Sequence, residues 1–225
     1  MKKLLVLLLA VIMVFSMVAC GGGDSSSSGN SATDSSTTTN TDSGTSDTTD
    51  TTGGETSTVT VDKTFELPVL ICSAGQSADF EMVKVMFDRN GLNYESNILA
   101  SKDDFGDCKT LLVVIGGSSK GLGAAGIDAD AELERVKTLL DDAEAAGLHI
   151  VAAHIGGSGR RGQLGDRYIE PVVSRSEFCL VVAGGNDDGL FDDICTANNI
   201  PKVEVAQMTD CIDIFAQLFP DGAQA

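Results

Sequence analysis

Tryptophan is absent from this 225-residue chain, and tyrosine and histidine occur only twice each. The aromatic stacking that usually encloses a flavin is therefore poorly supplied, and any imidazole chemistry falls to His149 or His154. Cations are scarce as well: 15 Lys and Arg face 33 Asp and Glu, for a net charge of −18. That balance opposes nucleic-acid binding, which needs clustered Lys and Arg to neutralise phosphates. There is no C-x-x-C and no Cys/His cluster, so neither a structural zinc nor a thioredoxin-like motif is supported, and no metal or cofactor is expected.

What is present divides into three parts. Residues 1–20 carry a charge of +2, residues 21–62 carry −7 and residues 63–225 carry −13. Only the last part, about 160 residues, has the apolar content to bury a core, and its size is that of one domain. Lys2 and Lys3 precede an apolar run from Leu4 to Phe15, too short for a comfortable membrane span and patterned as an export signal. Val18-Ala19-Cys20 resembles the lipobox of bacterial lipoproteins, with Met17 where leucine is usual. The resemblance implies lipidation of Cys20 and attachment to the extracytoplasmic face of the cell membrane. Residues 21–62 are Ser, Thr, Gly, Asp and Asn with few apolar groups, the composition of a disordered tether. As a flexible coil it would span roughly 35 Å end to end.

In the remainder, short apolar runs alternate with helical periodicity. Glu66 to Cys72, Leu111 to Ile115, Leu148 to Ile155 and Phe178 to Ala183 read as strands, and Leu92 to Leu99 as a weaker one. Helices are expected over Ala78–Asn90, Ala129–Ala146, Leu190–Asn198 and Thr209–Leu218, with a weaker one over Gly165–Ser174 that Pro171 bends or shortens. Asp128 and Ser77 are N-cap candidates, and Gly91 and Gly147 are C-cap candidates. Lys202 to Val205 is too short to assign. Strands without inside-outside alternation are buried on both faces, so the expected fold is α/β: a three-layer sandwich around a mostly parallel five-stranded sheet. A flavodoxin-like strand order 2-1-3-4-5 leads, with a Rossmann-like order as its rival.

Thirteen of the 18 glycines after residue 63 fall in segments 116–126, 156–165 and 184–189, each following an apolar strand. Strand C-termini are where open α/β sheets bind ligands, above all where strand order reverses. The candidate site therefore joins Ser73, Gly75, Gln76 and Ser77 to Gly116, Gly117, Ser118, Ser119 and Lys120, whose N–H groups, hydroxyls and ammonium suit an anion. Arg160 and Arg161 could clamp a carboxylate or phosphate, or pair with nearby acids. His154 could carry a proton, or be a satisfied structural group. Gly121-Leu-Gly-Ala-Ala-Gly126 matches G-x-G-x-x-G but begins too far from its strand for a dinucleotide loop. Asn186-Asp187-Asp188 suits a helix N-terminus better than a ligand rim. Besides Cys20 there are five cysteines, an odd number that cannot all pair within the chain.

Ser73-Ala-Gly-Gln-Ser77, Gly116-Gly-Ser-Ser-Lys-Gly-Leu-Gly-Ala-Ala-Gly-Ile-Asp128 and His154-Ile-Gly-Gly with Arg160-Arg161-Gly162 together resemble a family of bacterial exported or lipid-anchored domains of unknown function, over most of residues 66–219. The resemblance implies the fold and its boundaries and brings no activity. The leading functional expectation is a lipid-anchored domain that binds a small polar or anionic ligand, with an accessory role beside a transporter as one setting. An enzyme using His154 as acid or base, and a surface interaction module without a small ligand, are the alternatives.

Overall fold

The computed structural model describes residues 60–222. The export signal, Cys20 and nearly all of the tether segment lie outside the described residues. Six parallel strands form one sheet: β1 (Val69–Ala74), β2 (Tyr94–Ser96), β3 (Thr110–Ile115), β4 (His149–His154), β5 (Phe178–Val182) and β6 (Lys202–Val205). Their spatial order is β2-β1-β3-β4-β5-β6, so the flavodoxin-like order holds and the unassigned Lys202–Val205 segment adds a sixth strand at the far edge. Lys202 and Glu204 leave that strand half apolar, which is how an edge strand avoids further pairing.

The helices are α1 (Asp79–Asn90), α2 (Ser119–Ala125), α3 (Ala129–Ala146), α4 (Gln163–Asp166), α5 (Ile169–Val173), α6 (Leu190–Asn198) and α7 (Cys211–Leu218). Each central strand sends alternate side chains to opposite faces, and both faces are covered. Val69 and Ile71 of β1 meet the α1 and α7 side, whereas Leu70, Cys72 and Ala74 meet the α3, α5 and α6 side. This makes three layers with two apolar cores.

Helix ends follow the local chemistry. Asp128 caps α3 by accepting hydrogen bonds from the N–H groups of Asp130 and Ala131, and Gly91 and Gly147 close α1 and α3 in left-handed conformation. The helix expected over Gly165–Ser174 is divided into α4 and α5, with Pro171 in the first turn of α5 where its missing N–H costs little. At the other end of the domain, Val61 donates its backbone N–H to Gln217 Oε1 (3.0 Å), so contact with the core side begins two residues ahead of Lys63.

Candidate functional site

The parallel sheet brings the loops after β1, β3 and β4 to one edge, as expected of strand C-termini. The order reverses between β1 and β3, and there the two loops are fastened to each other. Gly116 N–H donates to Ala74 O (2.9 Å), Ser118 N–H donates to Gly75 O (2.8 Å), and Gln76 and Gly117 form an antiparallel bridge. The expected crevice between Ser73–Ser77 and Gly116–Lys120 is therefore closed by backbone. Two of the N–H groups expected to cradle an anion are already occupied.

The side chains tell the same story. Ser118 Oγ accepts from Gly121 N–H (3.0 Å), making it the N-cap of α2. Ser73 Oγ accepts from Gln76 N–H (3.1 Å), and Ser77 Oγ accepts from Asp79 N–H (3.3 Å); both serines are fully buried. Gln76 adopts a left-handed conformation at φ 62° and is held there by its Nε2, which donates to Glu132 Oε1 (2.9 Å) and Ile98 O (3.3 Å). Ser73, Ser77 and Ser118 thus each hold a nearby backbone N–H, and Gln76 ties the β1 loop to Glu132 and Ile98. Gly121 and Gly123 lie inside α2 and Gly126 ends it, so the G-x-G-x-x-G match is a short helix.

Glu132 organises this knot. Its side chain is fully buried and accepts from Gly75 N–H (2.9 Å), Gln76 Nε2 (2.9 Å), and Arg135 Nε (2.8 Å) and Nη2 (2.9 Å). Arg135 also donates to Ala100 O (3.0 Å) and Ser73 O (2.5 Å). Glu132 lies in the acidic first turn of α3, beside Asp130. Its place four residues before Val136 and eight before Leu140, on the buried stripe of α3, is the signal that it points inward.

The two arginines have different fates. Arg161 is no free clamp: it holds Asp188 through both Nη atoms (3.0 and 2.7 Å), Asp166 through Nε (2.7 Å) and the carbonyl of Gly185. Its guanidinium also lies 5.8 Å over the Phe191 ring. The bond to Arg161 holds the Asp188 carboxyl down at about 2, so the pair stays ionised at any physiological pH. Arg160 instead uses only Nε, donating to both oxygens of Asp79 (3.1 and 2.9 Å). Asp79 is buried while the Arg160 side chain is 30% exposed, and the Arg160 Nη atoms meet no acceptor among the described residues. Among the described residues no buried side-chain nitrogen or oxygen lacks a partner, so those Nη atoms are not buried. Gly156 permits this arrangement, because a Cβ there would lie 2.5 Å from Asp79 Oδ2.

Lys120 and Ser119 are exposed at the same edge, and Lys120 joins no ion pair among the described residues. Gly117 packs against the start of α4, where a Cβ would lie 2.7 Å from Gly165 N, and this contact draws the β3 and β4 loops together. His154 is enclosed. Its ring nitrogens lie 3.2 Å from Ile115 O and 3.2 Å from Gly157 O, Phe191 stacks 5.2 Å away, and a Cβ on Gly185 would touch the ring at 2.6 Å. Burial pushes its pKa below the usual histidine value. His154 has no solvent exposure, and a carbonyl lies beside each ring nitrogen; the single N–H of a neutral ring can donate to one of them. Asn186 and Asp188 serve the helix entry as expected: Asn186 Oδ1 accepts from Phe191 N–H (2.9 Å) and Asp188 Oδ1 from Leu190 N–H (3.2 Å).

A groove of about 520 Å³ lies elsewhere, beside β2 and the segment 103–108. Glu95, Asp103, Asp104 and Asp107 line it, a charge that suits no anion.

The sequence profile of DUF6305, a domain of unknown function, matches residues 66–219. The chain belongs to this family. No curated protein matches the DUF6305 chain. Among solved structures it is similar to a GDSL-like lipase from Bacteroides thetaiotaomicron, at 11% identity and TM-score 0.29 over 60% of this chain and 66% of that one. It is also similar to a psychrotrophic esterase from Pseudoalteromonas sp., at 12% identity and TM-score 0.30 over 61% and 76%. The DUF6305 chain thus spans just under two thirds of the lipase, and a likeness this slight transfers no reaction.

Proposed function

We propose that the DUF6305 domain is carried outside the cell on a lipid at Cys20 and recognises a small anionic group at the rim of its strand C-terminal edge. The observation that supports this reading is the half-used guanidinium of Arg160. Asp79 fixes the plane of the group through Nε, and the two Nη atoms are left unburied in the fork geometry that suits a carboxylate or phosphate. Lys120 adds a second cation at the same edge. The anion sits on the rim, because the crevice beneath is closed by backbone.

Thermal unfolding in rising sodium phosphate or sodium acetate, at constant ionic strength, tests the proposal. A saturable stabilisation is expected, lost in Arg160→Gln and weakened in Lys120→Met. Asp79→Asn also breaks the ion pair but keeps the guanidinium, so it should retain binding. Equal responses in wild type and Arg160→Gln would contradict the assignment. Membrane attachment is tested separately: Cys20→Ala should move the protein from the membrane fraction to the soluble one.

A second reading, a surface module without a small ligand, is favoured by the fixed state of Arg161 and His154, which make the edge rigid and self-satisfied. It predicts no saturable response to either anion.

A further inference from the structure

The two edges of the sheet are finished differently. At β6, Lys202 pairs with Asp192 (2.8 Å) and Glu204 (2.7 Å), so the charges that guard that edge compensate each other. At β2 the charges are of one sign. Glu95, Asp103, Asp104 and Asp107 line the groove beside it and enter no ion pair among the described residues. Asp104 is tied to Asn97 Nδ2 (2.9 Å) and the Ser101 N–H (2.8 Å), whereas Glu95, Asp103 and Asp107 accept no hydrogen bond among the described residues. The nearest bases in sequence, Lys102 and Lys109, are exposed and line no part of the groove.

The backbone of this edge is unpaired as well. Val69 N–H donates to Asn93 O (3.2 Å) and Asn97 N–H donates to Ile71 O (3.1 Å), so residues 93, 95 and 97 turn their peptide groups toward β1. The N–H and C=O of one strand residue share a side, which leaves those of Tyr94 and Ser96 facing outward. Among the described residues, none of these four groups meets a hydrogen-bond partner. Glu95 stands opposite Leu70 in register, so its side chain lies on the groove face of the sheet. A free strand edge and a groove of about 520 Å³, with the buried Leu70 and Cys108 in its lining, thus adjoin.

We propose that β2 takes up an extended basic segment of a partner protein as a seventh strand, with Lys or Arg at alternate positions reaching into the acidic groove. Backbone hydrogen bonds to Tyr94 and Ser96 would supply the pairing, and the period of two would place every second side chain on the Glu95 face. Lys and Arg suit the groove along their whole length, because the stem covers apolar lining while the cationic head meets a carboxylate. The charge also excludes two other occupants. Residues 21–62 of this chain carry −7 and no base, and a second copy pairing edge to edge would set its own Glu95 and Asp107 against these. Neither a lipid at Cys20 nor an anion at the rim enters this contact.

The full-length protein is titrated into a labelled nonapeptide of alternating lysine and valine, read by fluorescence anisotropy, and backbone amide exchange is followed by NMR with and without the unlabelled peptide. Saturable binding is expected, with the Tyr94 and Ser96 amides exchanging fast in the free protein and protected in the complex. N-methylation of two consecutive central residues keeps every charge and removes the donor that faces β2 whichever way the added strand runs; it should weaken binding at least about tenfold. Glutamate in place of every lysine should abolish binding. Glu95 and Asp107 are exposed, so their variants should fold. Glu95→Gln should weaken binding about threefold, and Glu95→Gln with Asp107→Asn about tenfold, the scale of exposed ion pairs. Asp193→Asn removes the same charge on α6 and should change affinity less than about twofold. No saturable binding at millimolar peptide, equal affinity for the N-methylated peptide, or an equal loss in Asp193→Asn would each overturn the proposal. Unprotected Tyr94 and Ser96 amides in the saturated complex would do the same, since they would mark attraction to an acidic surface without strand pairing.

Discussion

Replacing Glu132 by Ala should be among the most destabilising single changes in the domain. The side chain is fully buried and accepts four hydrogen bonds, from Gly75 N–H, Gln76 Nε2 and two nitrogens of Arg135. Its loss leaves the Gly75 N–H without an acceptor, at about 1–3 kcal/mol for a buried donor. It also strands a cation whose side chain is only 18% exposed, although Ala100 O and Ser73 O still receive its Nη groups. Breaking one partner of a buried pair costs about 3–5 kcal/mol, and the two surviving carbonyl contacts place this case at the lower end of that range. At about 2–4 °C per kcal/mol for a domain of this size, the unfolding temperature should fall by roughly 10 °C. Urea unfolding with wild type, Glu132→Ala, Arg135→Met and the double variant measures the effect. The double variant should lose much less than the sum of the singles, since neither charge is then left alone. Additive losses, or a loss below about 1 kcal/mol in Glu132→Ala, would refute the claim that this pair holds the β1 loop in place.

His154 should make stability depend on pH in a defined direction. Its folded pKa lies below the ordinary 6.5, so the folded state prefers the neutral ring and the unfolded chain binds the proton more readily. The contribution is complete above about pH 6.5 and is lost as pH falls through the folded value; urea midpoints between pH 7.5 and 5 should decline in wild type and decline less in His154→Gln. Gly117→Ala should push the β3 and β4 loops apart, because the new Cβ would meet Gly165 N at 2.7 Å; a loss of about 1–3 kcal/mol is expected by chemical denaturation, and no loss would show that the loops do not need this contact.

The fold was largely legible because its signals are local and redundant. Leu111–Ile115 and Phe178–Val182 are apolar on both alternating positions, which only a doubly covered strand requires, and Asp128 and Gly147 bracket α3. Lys202–Val205 could not be read, since four alternating residues are too few to establish a strand period; pairing at the edge of an existing sheet makes it a strand. The site was legible in composition and not in state. Glycine-rich loops do converge at one edge, but whether a serine, arginine or histidine faces a ligand or a neighbour depends on partners distant in sequence. Asp79 meets Arg160 across 81 residues, and Asp188 meets Arg161 across 27. Acids were abundant enough to satisfy either arginine, so composition alone could not choose between them. Glu132 shares the buried stripe of α3 with Val136 and Leu140, a spacing signal masked by its place in an acidic first turn.

The most direct test of anion recognition at the rim follows arginine side-chain Nε–Hε resonances by ¹H–¹⁵N NMR while inorganic phosphate is added at fixed ionic strength. Arg160 should shift along a saturable curve while Arg161, fixed by Asp166 and Asp188, and Arg135, enclosed with Glu132, stay in place. A stationary Arg160, or the same gradual drift in every arginine, would contradict the account.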